Sequence, residues 1–471
     1  MAHGLLPFDF AKEIEVGEHA QIPSTANGEL NKLFPEDRGV HEWYRFVLSF
    51  PPHLVRHYLR RFGISGSRRV LDPFCGTGTT VVECKKLGIV SVGVEANPMA
   101  HFASATKTNW RPEPGRLLSL AEEVGQTAKG QLESEGIEDD LLFRFRGRPA
   151  IRLRNLPPEK LDLLLADSIS PLPLHKALVL FDSIQASAPH YRGHLLLAFA
   201  KVLVSSISNL RFGPEVGVGP KKEDSPVIGP WLDAVRTIAE DIRPLRKRGR
   251  VTSVVHLADA RDLRHLLEPD SIDAVITSPP YPNEKDYTRT TRLESVLLGF
   301  IRSKADLRAL KQGLVRSNTR SVYKSDDDDK WIVEHPEIQR IADAIEARRL
   351  QLGKTSGFER LYARVTKLYF GGMARHFADL RRYLRPGARL AYVVGDQASY
   401  LRVMIRTGQL LGQIAQSLGY ELIGIDLFRT RLATATREQL REEVLLLRWP
   451  GGRGPSPADK GRLANEREEP L

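Results

Sequence analysis

Apolar and polar positions alternate in a pattern that divides the chain into two strand–helix regions. The first region opens with the apolar run RRVLDPF at Arg68–Phe74, continues through a helical stretch at Thr80–Leu87, and reaches a second apolar run at Val90–Val94. This order predicts a βαβ unit. Further β-type runs follow between residues 251 and 450, namely VTSVVHLAD, SIDAVITSPP, ARLAYVVGD, ELIGIDLF and EEVLLLRW. Strands alternating with helices such as Gly408–Leu418 predict an α/β protein with a twisted, mostly parallel sheet and helices on both faces.

Two helical insertions interrupt this pattern. Residues 111–250 contain leucine-rich helical segments separated by Pro and Gly, and within them Asn209–Glu215 (NLRFGPE) favours a helix end over a recognition loop. A smaller insertion lies near residues 303–370, and its acidic run Asp326–Asp329 is typical of a solvated loop. The predicted organisation is an N-terminal extension (1–43), a first half-domain (44–110), the large insertion (111–250), a second half-domain (251–450) and a disordered tail (451–471).

Composition narrows the class of protein. The chain has 471 residues, 69 Lys+Arg against 58 Asp+Glu, a net charge of +11 and two cysteines. Two cysteines exclude a disulfide scaffold and a four-cysteine metal site, and no metal site is predicted. The positive charge weakly favours polyanionic partners such as nucleic acid. Because the N-terminus lacks a secretory leader and no run approaches about 20 apolar residues, we expect a cytoplasmic protein without membrane segments.

A glycine-containing loop joins the first strand to the first helix of the βαβ unit. The loop Asp72–Thr80 reads DPFCGTGTT, and such glycines let a ligand approach the backbone closely. A dinucleotide-binding motif would place a third small residue where Val81 stands, which disfavours a pyrophosphate ligand. Glu95, at the end of the second strand, can accept hydrogen bonds from both hydroxyls of a ribose. The alternative is a tight turn with an ordinary surface glutamate.

The tetrapeptide Ser278-Pro279-Pro280-Tyr281 ends another predicted strand. Two prolines remove N–H donors and stiffen the backbone, so the carbonyls can point outward at the carboxyl edge of the sheet. The Ser278 hydroxyl and a fixed carbonyl can accept both N–H groups of an exocyclic amine on a nucleobase. Tyr281 offers a face on which a base flipped out of the duplex can stack. The alternative is a proline-rich turn that caps a strand.

Together, DPFCGTGTT, GVEANP and SPPY resemble the motifs of class I S-adenosylmethionine-dependent methyltransferases, especially those that act on exocyclic amines of nucleic acids. The resemblance implies a Rossmann-like fold and S-adenosyl-L-methionine as cofactor. It places the methionine and ribose along Phe74–Gly78, the methionine amino group at Asp72, directly or through water, and the adenine amino group at Asp259. The segment Tyr44–Leu54 resembles the family's closure over the methionine, although it is equally typical of a hydrophobic staple before a helix. The implied cofactor-binding residues are Phe50, Asp72, Phe74, Gly76, Gly78, Thr79, Glu95 and Asp259, and the implied catalytic residues are Ser278, Pro279, Pro280 and Tyr281.

Serine at the first position of the SPPY motif is most typical of cytosine-N4 enzymes, so the resemblance favours a DNA cytosine-N4 methyltransferase as found in restriction–modification. Adenine N6 in DNA, guanine N2 in RNA and a non-catalytic nucleic-acid-binding subunit stay open. Methylation of a ring carbon is disfavoured, because it needs a thiolate and both Cys75 and Cys84 belong to the cofactor region. Lys285 and Arg289 are the expected nucleic-acid contacts, and the large insertion is the expected target-recognition region. DNA is the expected substrate, and a cognate restriction endonuclease is left open as a partner.

Overall fold

A seven-stranded sheet forms the centre of the computed structural model, which describes residues 33–45, 49–139, 152–213, 215–432 and 439–452. The strands are β1 (Arg69–Asp72), β2 (Val90–Glu95), β3 (Leu210–Phe212), β4 (Val216–Val218), β5 (Ser253–Leu257), β6 (Ile272–Thr277), β7 (Leu384–Gly395), β8 (Glu421–Leu432) and β9 (Gln439–Arg448). Their order in the main sheet is β5-β2-β1-β6-β7-β9-β8, with β3 and β4 in a separate hairpin. The neighbours from β5 to β7 pair parallel, whereas β9 pairs antiparallel with β7 and β8. The predicted α/β, mostly parallel sheet is confirmed.

Helices cover both faces of this sheet. The α-helices are α1 (Pro52–Arg61), α2 (Thr79–Lys86), α3 (Pro98–Lys107), α4 (Pro114–Ser134), α5 (Pro158–Leu161), α6 (Pro171–Gln185), α7 (Pro189–Val202), α8 (Ile228–Leu245), α9 (Tyr287–Thr290), α10 (Arg292–Leu297), α11 (Lys304–Gln312), α12 (Pro336–Gln351), α13 (Tyr362–Leu380) and α14 (Thr407–Ser417). Residues of α1 and α2 pack on one face of the sheet, and residues of α12, α13 and α14 pack on the other. Because both faces are covered, β6 is buried at every position, as its nearly continuous apolar sequence predicts.

The two insertions differ in how they join this framework. The large one contributes α4 to α8 and forms most of a hydrophobic cluster in which Phe199 and Trp231 are fully buried, and α3 and α10 also contribute to this cluster. The smaller one contributes α11 and α12, and the helix that follows, α13, packs on the sheet, so its predicted end at residue 370 falls inside a framework helix. Asn209–Glu215 was expected to end a helix, but Leu210–Phe212 instead pairs with β4 in the hairpin. Among the described residues, the helices lack the length and apolar composition needed to cross a membrane.

Candidate active site

A cavity of about 300 Å³ lies at the carboxyl ends of the parallel strands, lined by the loops that follow β1, β2, β5 and β6 and by Val393 of β7. The predicted residues that line it are Phe50, Phe74, Gly76, Thr79, Glu95, Asp259, Ser278, Pro279, Pro280, Tyr281 and Lys285. Asp72, Gly78 and Arg289 are not part of the lining. The glycine loop and the SPPY segment therefore share one cavity, although almost 200 residues of sequence separate them. Part of the predicted closing segment, residues 46–48, lies outside the described residues.

The two glycines of the loop are needed for different structural reasons. Gly76 has a φ of +51°, lines the cavity, and would direct a Cβ into open space. This leaves room for a ligand against the backbone. Gly78 has a φ of +90° and lies behind the cavity, where a Cβ would come within 2.9 Å of the Cβ of Ser104 on α3. Gly78 is therefore required for the packing of α2 against α3.

Asp72 lies beneath the loop and is completely buried. Its Oδ1 accepts hydrogen bonds from Thr277 Oγ1 at 2.6 Å and from the backbone N–H of Phe74 at 3.2 Å. Its Oδ2 has no hydrogen-bond partner among the described residues. Burial raises the pKa of Asp72 to about 6, which indicates a carboxylate short of stabilising contacts. A carboxylate oxygen that lacks a partner fits the predicted contact with the amino group of methionine. Because Asp72 does not line the cavity, this contact would run through a water molecule.

Glu95 holds the loop and also faces the cavity. Its Oε2 accepts from the backbone N–H of Gly76 and its Oε1 from that of Asn97, both at 2.7 Å. Each carboxylate oxygen keeps a lone pair for a further donor, so both can still bind a diol. Burial raises the pKa of Glu95 to about 7, although the two backbone donors act in the opposite direction.

Asp259 follows β5 and lines the far end of the cofactor side. It forms a bidentate ion pair with Arg261, whose Nη2 lies 2.6 Å from Asp259 Oδ2. Arg261 also donates to the carbonyl of Gln312 at 3.0 Å and pairs with Asp328. Asp328 is buried and Asp326 pairs with Arg316, so the interpretation of this acidic run as a solvated loop is wrong for these two residues. The ion pairs of Arg261 with Asp259 and Asp328 join the smaller insertion to the loop after β5.

The SPPY segment presents hydrogen-bond acceptors to the cavity. Ser278 donates its hydroxyl hydrogen to the carbonyl of Val393 on β7 at 3.2 Å, which leaves the oxygen lone pairs as acceptors. The Tyr281 ring lies against Gly395, where an added Cβ would be 3.1 Å from Cε2. Tyr287 also lines the cavity, and burial raises its pKa to about 12, so it stays a neutral phenol. The prediction omitted Tyr287 because no local motif distinguished it from its neighbours.

The expected nucleic-acid contacts lie in different places. Lys285 lines the cavity, whereas Arg289 lies outside the lining and its Nε is buried without a partner among the described residues. The basic cluster Arg246–Arg250 precedes β5 and therefore lies at the amino edge of the sheet, opposite the cavity. The other basic cluster of the large insertion, in residues 144–154, lies mostly outside the described residues.

Several lining residues come from parts of the chain that sequence reasoning did not assign. They are Gly313, Leu314, Val315, Ser317, Asn318, Ser321 and Glu442. Arg429, in β8, is paired with Glu442 of β9 at 2.6 Å. Phe428 and Arg429 also line the cavity, and their position at the end of the predicted strand ELIGIDLF was a weak signal for this role. Nothing in the sequence around residues 313–321 indicated it.

The two cysteines do not supply a nucleophile. Cys75 and Cys84 are both buried, and burial raises the pKa of each thiol above its ordinary value. A buried thiol in these surroundings is protonated near neutral pH, and only the thiolate attacks a ring carbon. The arrangement therefore suits transfer to an amine and not to a ring carbon.

Comparison with known proteins agrees with this geometry. Residues 22–105 match the model of a DNA methylase family of the N6/N4 methyltransferase type. The chain is 26% identical over 437 residues to the type II methyltransferase M.BsoBI of Geobacillus stearothermophilus, covering 86% of this chain and 83% of that protein. It is 25% identical over 458 residues to the type II methyltransferase M.AvaI of Nostoc sp., covering 90% and 88% of the two chains. TrmN from Thermus thermophilus is similar at 12% identity and a TM-score of 0.28, over 88% of this chain and 52% of that one, a score too low to support an argument.

The fold, the cavity and these matches point to the same group of proteins. The sheet is Rossmann-like, and its antiparallel strand β9 lies between β7 and the edge strand β8. The open space beside Gly76 fits the methionine of S-adenosylmethionine. The Asp72 oxygen without a hydrogen-bond partner among the described residues fits its amino group, and the Glu95 carboxylate fits its ribose. These matches support an amino-methyltransferase of the N4/N6 type, with S-adenosylmethionine as its cofactor.

Proposed function

We propose that this protein transfers a methyl group from S-adenosylmethionine to the N4 amine of a cytosine in DNA, as in restriction–modification. The observation that carries the proposal is the orientation of Ser278. Because its hydroxyl donates to Val393, its oxygen can only accept from a ligand, and it does so in the same cavity as the glycine loop. An exocyclic amine has the N–H donors that such an acceptor needs.

The roles on the cofactor side follow from the contacts described above. Glu95 accepts from the ribose hydroxyls, Asp72 accepts from the methionine amino group through water, and Asp259 accepts from the adenine amino group. Phe50, Phe74, Gly76 and Thr79 shape the lining around these polar groups. When bound, S-adenosylmethionine supplies an electrophilic methyl group on a sulfonium. Its positive charge suits a site with the Glu95 carboxylate in the lining and the Asp72 carboxylate beneath the glycine loop.

On the base side, the chain orients and desolvates the amine. Ser278 Oγ and a carbonyl of the Pro279-Pro280 edge accept its hydrogens, which leaves the nitrogen lone pair for in-line attack. Tyr281 stacks on the base, a contact worth roughly 1–3 kcal/mol that offsets part of the cost of leaving the duplex. No covalent enzyme intermediate is required.

DNA contacts are proposed at two places. Lys285 lines the mouth of the cavity, where a phosphate of the flipped nucleotide would pass. The large insertion stays the proposed target-recognition region. Burial raises the pKa of Glu284 in the loop after Tyr281, and the charge of Glu215, at the tip of the β3–β4 hairpin, adds to this shift. A DNA contact by Arg289 and a cognate endonuclease as partner are also proposed, and no contact among the described residues supports either.

Methyl-labelled cofactor tests the proposal directly. DNA is incubated with the protein and labelled S-adenosylmethionine, digested to nucleosides and separated by chromatography. Label in 4-methylcytosine supports the proposal, and its loss in Ser278→Ala assigns the activity to this cavity. Label in 6-methyladenine moves the target to the alternative amine, and label in RNA alone moves it to the guanine-N2 class. No incorporation into any nucleic acid identifies a binding subunit without activity.

A further inference from the structure

Residues 313–321, here named the wall segment, contribute to the cavity lining and pack against the loop after Tyr281. The segment follows α11 and contributes Ser317, Asn318 and Ser321 to the lining. In contrast, the described residues of the large insertion contribute nothing to that lining. The smaller insertion, and not the larger one, therefore contacts whatever occupies the space beside Tyr281.

Five hydrogen bonds hold the wall segment on the loop after Tyr281 and on Tyr400, and four of them involve Ser317 and Thr319. The Ser317 carbonyl accepts from the backbone N–H of Glu284 at 3.2 Å and from the Tyr400 hydroxyl at 3.0 Å. The Glu284 carboxylate accepts from Thr319 N at 2.9 Å and from Thr319 Oγ1 at 2.8 Å. Glu284 has a φ of +68°, a conformation that a non-glycine residue keeps only where its surroundings hold it. The wall segment is thus fixed relative to the catalytic loop before any base enters.

Asn318 presents a hydrogen-bond donor in this wall. It is 3% exposed, its Oδ1 accepts from Ser321 Oγ at 2.9 Å, and its Nδ2 donates to the Lys285 carbonyl at 3.1 Å. Since a carbonyl can only accept, the Lys285 contact fixes which end of the amide faces the catalytic loop. An amide nitrogen carries two hydrogens, and this contact uses one of them. The second is left for a ligand, and a buried donor without an acceptor is costly.

We propose that Asn318 donates this second hydrogen to O2 of the flipped cytosine and is a specificity-determining residue of the base pocket. The inference rests on the proposed cytosine-N4 function. Ser278 accepts at the amine end of the Watson–Crick edge, and Asn318 donates at the opposite end. Adenine carries a C2–H where cytosine carries O2, and a carbon-bound hydrogen cannot accept. The Asn318 donor would therefore be left unpaired with adenine, which disfavours that base.

Replacing O2 by sulfur tests this contact, because sulfur is a weak acceptor. Methylation rates are compared on duplexes with cytosine or 2-thiocytosine at the target position, for the wild-type protein and for Asn318→Ala. The wild type is expected to lose about tenfold in kcat/KM on the 2-thio substrate. Asn318→Ala is expected to be slower on cytosine by a similar factor and to treat the two substrates alike. A role in folding alone would lower both rates and leave the ratio at its wild-type value.

Asn209→Ala is the matched control. Asn209 is also 3% exposed, and its amide donates to the Asp167 carbonyl at 2.9 Å and to Ser170 Oγ at 3.1 Å within the large insertion. This variant should keep the wild-type preference for cytosine. Equal wild-type rates on the two substrates, or an unchanged preference in Asn318→Ala, would overturn the inference while 4-methylcytosine in the product leaves the proposed function intact. Methyladenine as the only wild-type product would overturn both.

Discussion

The two sides of the cavity are built in different ways. On the cofactor side, Glu95 bonds to Gly76 and Asn97, so the loop and its acidic partner come from one βαβ unit within residues 69–107. On the base side, the SPPY segment meets the wall segment, Phe428 and Glu442, which come from distant parts of the chain. The glycine loop and its acidic partner are therefore encoded locally, with Phe50 and Asp259 added from outside this unit, whereas the base pocket depends mainly on tertiary packing. The two sides should respond separately to substitution.

Tyr281→Ala should have the largest effect, and it should be confined to the base side. Loss of stacking removes roughly 1–3 kcal/mol from the flipped state, so kcat/KM for DNA should fall up to about 100-fold. The dissociation constant for S-adenosylmethionine should change less than threefold. Steady-state methylation and calorimetric titration of the cofactor check the two halves of this prediction. A parallel loss of cofactor affinity would show that the two sides are not separable.

Glu95→Ala should do the reverse. Removing a carboxylate that accepts from two hydroxyls should weaken cofactor affinity about 30-fold, at roughly 1.5–3 kcal/mol for hydrogen bonds to a charged group. With saturating cofactor, the KM for DNA should stay near the wild-type value. Calorimetry and DNA titrations at high cofactor concentration measure the two quantities. Unchanged cofactor affinity in this variant would remove Glu95 from the ribose site.

Glu284→Gln should have an intermediate effect, because it weakens the joint between the catalytic loop and the wall segment. The amide keeps one acceptor for Thr319 but places an NH₂ group against the second donor. We expect kcat/KM for DNA to fall about tenfold, with cofactor affinity preserved. Thr319→Val, which removes the hydroxyl donor and keeps the backbone one, should lose less. A wild-type rate in both variants would mean that the wall segment needs no such anchor.

The smallest expected effect is a change with pH in the affinity of the cofactor side for its ligand. The pKa of Glu95 is raised to about 7, so in the free protein the group is mostly neutral at pH 6 and mostly ionised at pH 8. Since the carboxylate is the better acceptor for two hydroxyls, affinity should rise with pH through 7, by less than tenfold between pH 6 and 7.5. Methylthioadenosine is a suitable probe, because it keeps the ribose and has no titrating amino group. The slope should disappear in Glu95→Ala, and a slope that persists there would assign the titration to another group.

The predictions from the sequence were best for the elements that are encoded locally and poorest for those that depend on tertiary packing. The sheet could be predicted because its strands are short apolar runs with turn residues after them, and because a βαβ unit leaves little choice of topology. Glu95 could be placed because it ends a strand next to the glycine loop. The pairing of Ser278 with Val393 could not be predicted, since it depends on the register of β6 with β7.

Errors were concentrated in the insertions. Asp326 and Asp328 belong to an acidic run that is typical of a solvated loop, and only their packing against Arg316 and Arg261 reveals their role. Asn209–Glu215 has Gly and Pro residues that are compatible with a helix end or a hairpin, and the pairing of Leu210–Phe212 with β4 distinguishes the two. The wall segment carries no motif at all. Long-range contacts, which one sequence does not show, account for each of these cases.

A crystal structure of the protein with S-adenosylhomocysteine would test the shared cavity most directly. We expect the ribose to lie on Glu95, the adenine to lie near Asp259, and the sulfur to face the opening beside Ser278 and Tyr281. A base amine held by Ser278 would then be in line with the departing methyl at roughly 3–3.5 Å. A ligand bound with its sulfur turned away from Ser278, or bound outside this cavity, would contradict the account.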